Sequence, residues 1–119
     1  MDYLESILFP SGETSVSKWI CMGASLGGHS TFISAARDSR ISHLVPLVGS
    51  PNMVELLRNR ALKSGPPLDF GPPLMPDSLL AYMKRTDPAA HLEAFDGKSL
   101  LIISGGTDKL VNYTDGVRF

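Results

Sequence analysis

A serine framed by glycines constrains this chain more than any other feature. Residues 23–27 (GASLG) follow a short apolar run, residues 18–22, and precede a stretch of small residues, 29–37. An apolar run that ends at glycine is typical of a buried parallel strand, and the small-residue stretch predicts a helix. In such a strand-to-helix turn, Ser25 is expected to adopt a strained backbone conformation that holds its hydroxyl clear of the sheet.

The glycines on either side of this serine fit the same turn. We expect Gly23 and Gly27 to be glycines because larger side chains would collide with the neighbouring strand and helix. The N-terminus of the predicted helix is expected to direct backbone N–H groups at negative charge that develops near Ser25. The local sequence therefore predicts an accessible hydroxyl beside a ready-made anion site.

Two further apolar runs predict strands, at residues 41–48 and 99–104. The second run leads into a glycine-containing turn that ends at Asp108. Pro46 is unfavourable inside the first, because proline removes a hydrogen-bond donor from the sheet. Strands that alternate with helices indicate an α/β fold with a parallel sheet of about three strands. Three such strands alone would expose apolar surface, so we expect them to be the C-terminal part of a larger sheet.

Helices are expected on the faces of this sheet, at residues 4–9, 51–64 and 77–85. Ser50 is the predicted N-cap of the second helix. A further helix is predicted from Asp87, with Leu92 and Phe95 directed inward. Residues 65–76 contain five of the nine prolines. They cannot form regular structure, so we interpret them as an ordered loop or a lid-like insertion.

Composition sets bounds on the class of protein. At 119 residues the chain has the size of one small domain, and its formal net charge of −1 gives no electrostatic reason to expect nucleic acid or an anionic membrane as partner. No stretch approaches the roughly 20 apolar residues that span a bilayer. The single cysteine, Cys21, cannot form an intramolecular disulfide, and the first residues do not resemble a secretory signal. These features favour a cytoplasmic protein.

The motifs together resemble the α/β-hydrolase family, most closely its dienelactone-hydrolase-like and prolyl-oligopeptidase-like serine esterases. The residues that carry the resemblance are 22–28 after a strand, 40–41, 49–52, and 100–111. The resemblance divides the chain into residues 18–48 (strand, nucleophile elbow, helix, strand), 49–98 (helical and proline-rich insertion) and 99–119 (acid strand and turn).

The resemblance implies a serine hydrolase that acts on carboxylic esters without a metal or an organic cofactor. It implies that Ser25 is the nucleophile and forms an acyl-serine intermediate. It further implies that the Leu26 N–H is one oxyanion-hole donor and that Asp108 is the acid that orients a catalytic histidine. Val111 lies three residues after that acid, where the family commonly has valine.

The catalytic histidine is missing from this pattern. The resemblance places it after the acid, and none of the eleven residues that follow Asp108 is a histidine. His29, His43 and His91 all precede Asp108, and each is expected to be structural, with His29 the one to test as a base. We therefore expect the chain to be an incomplete hydrolase with little esterase activity and poor solubility.

Three alternatives remain open from the sequence. The parent protein could cleave peptide or amide bonds with the same fold, or the chain could be a non-catalytic remnant of a hydrolase. The third alternative is nucleotide binding, because Gly23, Gly28 and Ser30 match a phosphate-binding loop in which His29 replaces the lysine. A neutral histidine is too short and mostly uncharged for that task.

Overall fold

The computed structural model describes residues 2–11, 15–63, 65 and 70–119. The helices in these ranges are α1 (Asp2–Leu8), α2 (Leu26–Arg37), α3 (Met53–Lys63), α4 (Asp77–Thr86) and α5 (Tyr113–Val117). The strands are β1 (Trp19–Ala24), β2 (Ile41–Leu47) and β3 (Ser99–Leu100). Two 3₁₀ turns, Pro88–Ala90 and Leu92–Phe95, precede β3.

The three strands form one parallel sheet in the order β1-β2-β3. Cys21 pairs with Leu44 between the first two strands, and His43 pairs with Ser99 between the last two. Helix α2 connects β1 to β2, and the helical segment from α3 to the second 3₁₀ turn connects β2 to β3. The predicted α/β class and the three-stranded parallel sheet are confirmed.

Pro46 shortens the third strand. In β2 the Leu44 and Pro46 carbonyls accept hydrogen bonds from the N–H groups of Leu101 (2.9 Å) and Ile103 (3.1 Å). A residue with an N–H at position 46 would donate to the Leu101 carbonyl in a parallel ladder, and proline has no such donor. Regular pairing therefore stops at Leu100, and a single bridge between Leu47 and Ile103 continues it.

Helix α2 begins earlier than its composition predicts. Residues 29–37 were the expected helix, but the helix begins at Leu26, directly after the serine. The glycines at positions 27 and 28 disfavour a helix by propensity alone. Tertiary contacts with the end of β2 override that preference, as the site geometry below shows.

The core lies between α2 and one face of the sheet. Ala35, Ile41 and Leu44 form its buried centre, and Trp19, Cys21 and Phe95 pack against them. Phe32 is fully buried and makes edge-to-face ring contacts with Phe95 and Phe119. The inward placement of Phe95 is confirmed. That of Leu92 is wrong, because 52% of its surface is exposed in the second 3₁₀ turn.

The N-terminus of α3 is capped differently from the prediction. Ser50 was the expected N-cap, but the helix begins at Met53 and the Asn52 side chain accepts the Glu55 N–H at 3.0 Å. Asp87 supplies the other acceptors: its two carboxylate oxygens accept the N–H groups of Met53 (2.8 Å) and Val54 (3.1 Å). A carboxylate more than 30 residues away therefore completes the cap that Asn52 supplies locally.

The opposite face of the sheet exposes apolar side chains. Its outward positions include Ile20 (65% exposed), Met22 (71%), Leu101 (58%) and Ile103 (44%). Cys21 and Leu44 pair with each other and pack in the core under α2. Because side chains alternate along a strand, the four residues lie on the side away from α2. Parallel sheets are ordinarily covered on both faces.

The predicted lid-like insertion is described only in part. Residues 66–69 of the proline-rich segment lie outside the described residues. Beyond them the Met75 N–H donates to the Gly71 carbonyl at 2.8 Å, and the Met75 side chain is buried.

Across the ranges described, no helix has both the length and the apolar character required to cross a membrane.

Candidate active site

Ser25 lies in a strained turn between β1 and α2. Its backbone has φ 53° and ψ −114°, a conformation that L-amino acids rarely adopt. Two hydrogen bonds hold it there: the Ser25 N–H donates to the Leu47 carbonyl at 2.9 Å, and the Ser25 carbonyl accepts the His29 N–H at 3.1 Å. The residue is exposed, so the turn presents its side chain at the surface.

Gly23 and Gly27, the two glycines beside Ser25, differ in what a side chain would meet at their positions. A Cβ at Gly23 would lie 2.9 Å from the Gly27 Cα and closer still to its carbonyl group, so the prediction for Gly23 is confirmed. At Gly27 a Cβ would meet no heavy atom within 4 Å, so the expected collision there is wrong. Gly27 takes part through its backbone, which is the surface that Gly23 must approach.

A second close approach fixes the helix behind the serine. A Cβ at Gly28 would lie 2.7 Å from the Leu47 carbonyl oxygen and 2.9 Å from the Gly49 Cα. A Cβ at Gly49 would in turn lie 2.6 Å from the Gly28 carbonyl carbon. The start of α2 therefore packs backbone to backbone against the end of β2, which sets the position of the serine turn.

Leu26 is the first residue of α2, and its side chain is 74% exposed. The bond from the His29 N–H to the Ser25 carbonyl begins the helical series, so the N–H groups of residues 26–28 precede it. Such N–H groups point out of a helix N-terminus and favour negative charge there. The geometry suits Leu26 to the oxyanion role that the resemblance implies.

Asp108 ends a tight turn beyond β3. Its N–H donates to the Gly105 carbonyl at 3.1 Å, and its Oδ1 accepts the N–H groups of Leu110 (2.7 Å) and Val111 (3.1 Å). The Val111 and Leu110 N–H groups lower the pKa of the Asp108 carboxyl; partial desolvation opposes them, and the Arg60 charge adds to the lowering. Both backbone bonds engage Oδ1, which leaves Oδ2 to face another partner.

The sheet brings Ser25 and Asp108 to the same side, beyond the C-terminal ends of its strands. Ser25 follows the C-terminal end of β1, Asp108 follows the pairing of Ile103 with β2, and the strands are parallel. The two residues do not follow neighbouring strands, because β2 lies between the strands that precede them. Two strand spacings separate β1 from the strand before Asp108, a backbone distance of about 10 Å.

The three histidines have partners of their own. His29 is buried, and its Nδ1 accepts the Ser50 N–H at 2.8 Å. His43 Nδ1 lies 2.8 Å from the Ser42 hydroxyl, and His91 Nε2 lies 2.6 Å from the Arg85 carbonyl. Among the described residues, no hydrogen bond joins any of the three rings to the Ser25 hydroxyl. The structural interpretation of His29 is thereby supported.

The same contacts bear on the phosphate-loop alternative. His29 stands where such a loop has lysine, but its ring is buried under the loop that follows β2. The Ser30 hydroxyl, which would bind the metal ion of a nucleotide, donates to the Leu26 carbonyl at 3.0 Å. Neither side chain is directed to a ligand in this arrangement.

Sequence reasoning missed two residues at this edge. Val48 has φ 51°, which is unusual for a β-branched residue, and its N–H donates to the Ile103 carbonyl at 2.7 Å. Glycine is the residue that most readily takes a positive φ, but it is Val48 and not the adjacent Gly49 that has one. The second is Arg60 of α3, whose Nε donates to the Leu110 carbonyl at 3.4 Å. No local pattern signals either contact.

The clefts of the described residues lie away from the serine. Of five clefts, the largest has a volume of about 330 Å³ and lies between α3 and the end of α4, and Ser25 lines none of the five. Within the ranges described, no group of three or more His, Cys, Asp or Glu side chains is placed to hold a metal ion. Ser25 itself is exposed.

Comparison with protein-family models and with curated proteins found no match to this chain. Its function must therefore be argued from the geometry of Ser25 and Asp108.

Proposed function

We propose that this chain carries the nucleophile and the acid of a serine hydrolase that acts on carboxylic esters, with a histidine supplied from outside residues 1–119. The observation that carries the proposal is the strained turn at Ser25, located at the same edge of a parallel sheet as the Asp108 carboxylate. A positive φ at a non-glycine residue is costly and tends to persist where it serves a site.

The proposed reaction has two steps. The Ser25 hydroxyl attacks the acyl carbon, its proton passes through the histidine to the departing alcohol, and an acyl-serine ester remains. In the second step the histidine takes a proton from water, which attacks this ester, and gives that proton to Ser25 as the carboxylic acid is released. The Leu26 N–H stabilises the oxyanion in both steps, and Asp108 orients the histidine and stabilises its charged form.

Labelling with a fluorophosphonate probe tests the nucleophile. In a longer form of the protein in which a histidine follows Asp108, we expect the probe to modify Ser25 and the Ser25→Ala variant to lose the label. Ser30→Ala is the matched control. Ser30 is exposed on α2, the helix that follows Ser25, and its hydroxyl donates to the Leu26 carbonyl. Residues 1–119 alone should react slowly, since they supply no base.

Two results would overturn the proposal. One is unchanged labelling in Ser25→Ala. The other is a transcript in which no histidine follows Asp108 in a strand-to-loop context, which would favour the non-catalytic remnant. The observations that favour this second candidate are the bonds that engage the His29 and His91 rings away from Ser25.

A further inference from the structure

The turn that carries Asp108 rests on helix α3. A small crevice of about 10 Å³ lies between them and is lined by residues of both elements, among them Leu56, Arg60, Lys63, Lys109 and Leu110. Leu56 on the helix and Val111 in the turn are both buried. The acid turn is therefore supported by a helix that lies about 50 residues earlier in the chain.

Arg60 makes the polar contact across this crevice. Its Nε donates to the Leu110 carbonyl at 3.4 Å, a long bond at an exposed position. Leu110 is also the residue whose N–H donates to Asp108 Oδ1 at 2.7 Å. Leu110 thus links the Arg60 guanidinium, through its carbonyl, to the Asp108 carboxylate, through its N–H.

We propose that Arg60 is a positioning residue for Asp108: by binding the Leu110 carbonyl it keeps the Leu110 and Val111 N–H groups directed at Oδ1, so that Oδ2 faces the histidine. This role rests on the proposed function. The charged side chains at the contact are Arg60 and Lys63 of α3 and Lys109 of the turn itself. Of these, only the Arg60 charge contributes to the lowered pKa of Asp108.

The effect has a defined pH dependence. Hydrogen bonds to the carboxylate favour the charged form, so their contribution is present above the ordinary pKa of aspartate. It is lost as the pH falls through the lowered pKa of the folded protein. Weakening the turn should therefore raise the pKa of Asp108 towards its ordinary value.

The test uses the full chain of 119 residues, fused to a soluble carrier, with Arg60→Gln, Arg60→Lys and Lys63→Gln compared with the unchanged sequence. We expect Arg60→Gln to raise the pKa of Asp108, followed by the carbon NMR signal of its carboxyl. We also expect amide hydrogen exchange at Leu110 and Val111 to accelerate roughly twofold to fivefold, the size typical of exposed charged contacts. Arg60→Lys should restore part of both effects.

Lys63→Gln is the matched control, because it removes the same charge from the same crevice one turn further along α3. The proposal is overturned if Arg60→Gln changes neither signal, or if Lys63→Gln changes both to the same extent. Neither readout requires a reactive Ser25. If the fluorophosphonate probe fails to label Ser25, the proposed hydrolase is refuted and the Arg60 contact is unaffected. If Arg60→Gln changes neither signal, the positioning role is refuted and the proposed hydrolase is unaffected.

Discussion

At the scale of single residues, backbone approach determines the candidate site more than side-chain chemistry does. Ser25 keeps its strained conformation because its N–H bonds to the Leu47 carbonyl and its carbonyl accepts the His29 N–H. The bond to the Leu47 carbonyl requires the start of α2 to lie directly against the end of β2. Gly28 and Gly49 make that approach possible, because neither has a side chain to hold the two backbones apart.

Replacing Gly28 tests this dependence. In Gly28→Ala the new methyl group would lie 2.7 Å from the Leu47 carbonyl oxygen, where only backbone movement can make room. We expect a loss of about 1–3 kcal/mol in the free energy of unfolding, measured by chemical denaturation. Gly27→Ala is the control, since its methyl group would meet nothing within 4 Å. Equal losses in the two variants would contradict the close-approach explanation.

At the scale of elements, the long connection between β2 and β3 is tied down at both ends. Near its start, Asp87 caps the N-terminus of α3, and the Ala89 N–H donates to the Pro51 carbonyl at 3.1 Å. At its end, the Lys98 ammonium donates to the carbonyls of Asp38 (3.1 Å) and Ile41 (2.6 Å). The Lys98 bonds join the connection to the sheet, while the Asp87 and Ala89 bonds hold its first and later helical parts together.

Asp87 provides the prediction at this scale. Asp87→Ala would leave the N–H groups of Met53 and Val54 at a buried helix end without their acceptors. We expect the free energy of unfolding to fall by about 1–3 kcal/mol, with α3 exchanging its amide hydrogens faster. Asp96→Ala, at an exposed turn position, should change stability by less than about 0.5 kcal/mol. An unchanged stability in Asp87→Ala would show that the cap is dispensable.

At the scale of the whole molecule, the residues that the structure describes cover the sheet on one face only. Helix α2 and the aromatic contacts of Phe32, Phe95 and Phe119 cover one side, while Ile20, Met22, Leu101 and Ile103 are exposed on the other. Exposed apolar positions on a sheet with open edge strands favour association between molecules.

We therefore expect the 119-residue chain to self-associate and to bind a hydrophobic dye. Changing Ile20 and Leu101 to threonine should reduce dye fluorescence and increase the monomer fraction in sedimentation, because threonine keeps strand propensity while it removes apolar surface. Val117→Thr is the control, since Val117 is also exposed (78%) but lies on α5. A monomeric chain without dye binding would show that this face is not a liability.

Much of the local structure follows from the pattern of residues. The apolar runs at 18–22 and 41–48 become paired strands, and the turn at Ser25 has the strained backbone that its glycines indicate. The regular part of the third strand is shorter than expected, since Pro46 lies on its neighbour. Helix α5 has no apolar periodicity in its five residues, so only its Asn112 cap, which accepts the Thr114 N–H at 3.2 Å, could have signalled it.

By itself the sequence determined a parallel α/β arrangement, a serine at a strand-to-helix turn and an aspartate after a later strand, because strand periodicity and glycine sterics act over a few residues. Only the tertiary structure decided that β2 separates the strands before Ser25 and Asp108. It also decided three contacts: Asp87 caps α3, Ser50 covers His29, and Arg60 reaches the acid turn. Each of these contacts joins residues at least 20 positions apart, where the path of the whole chain, not the neighbouring residues, sets which groups meet.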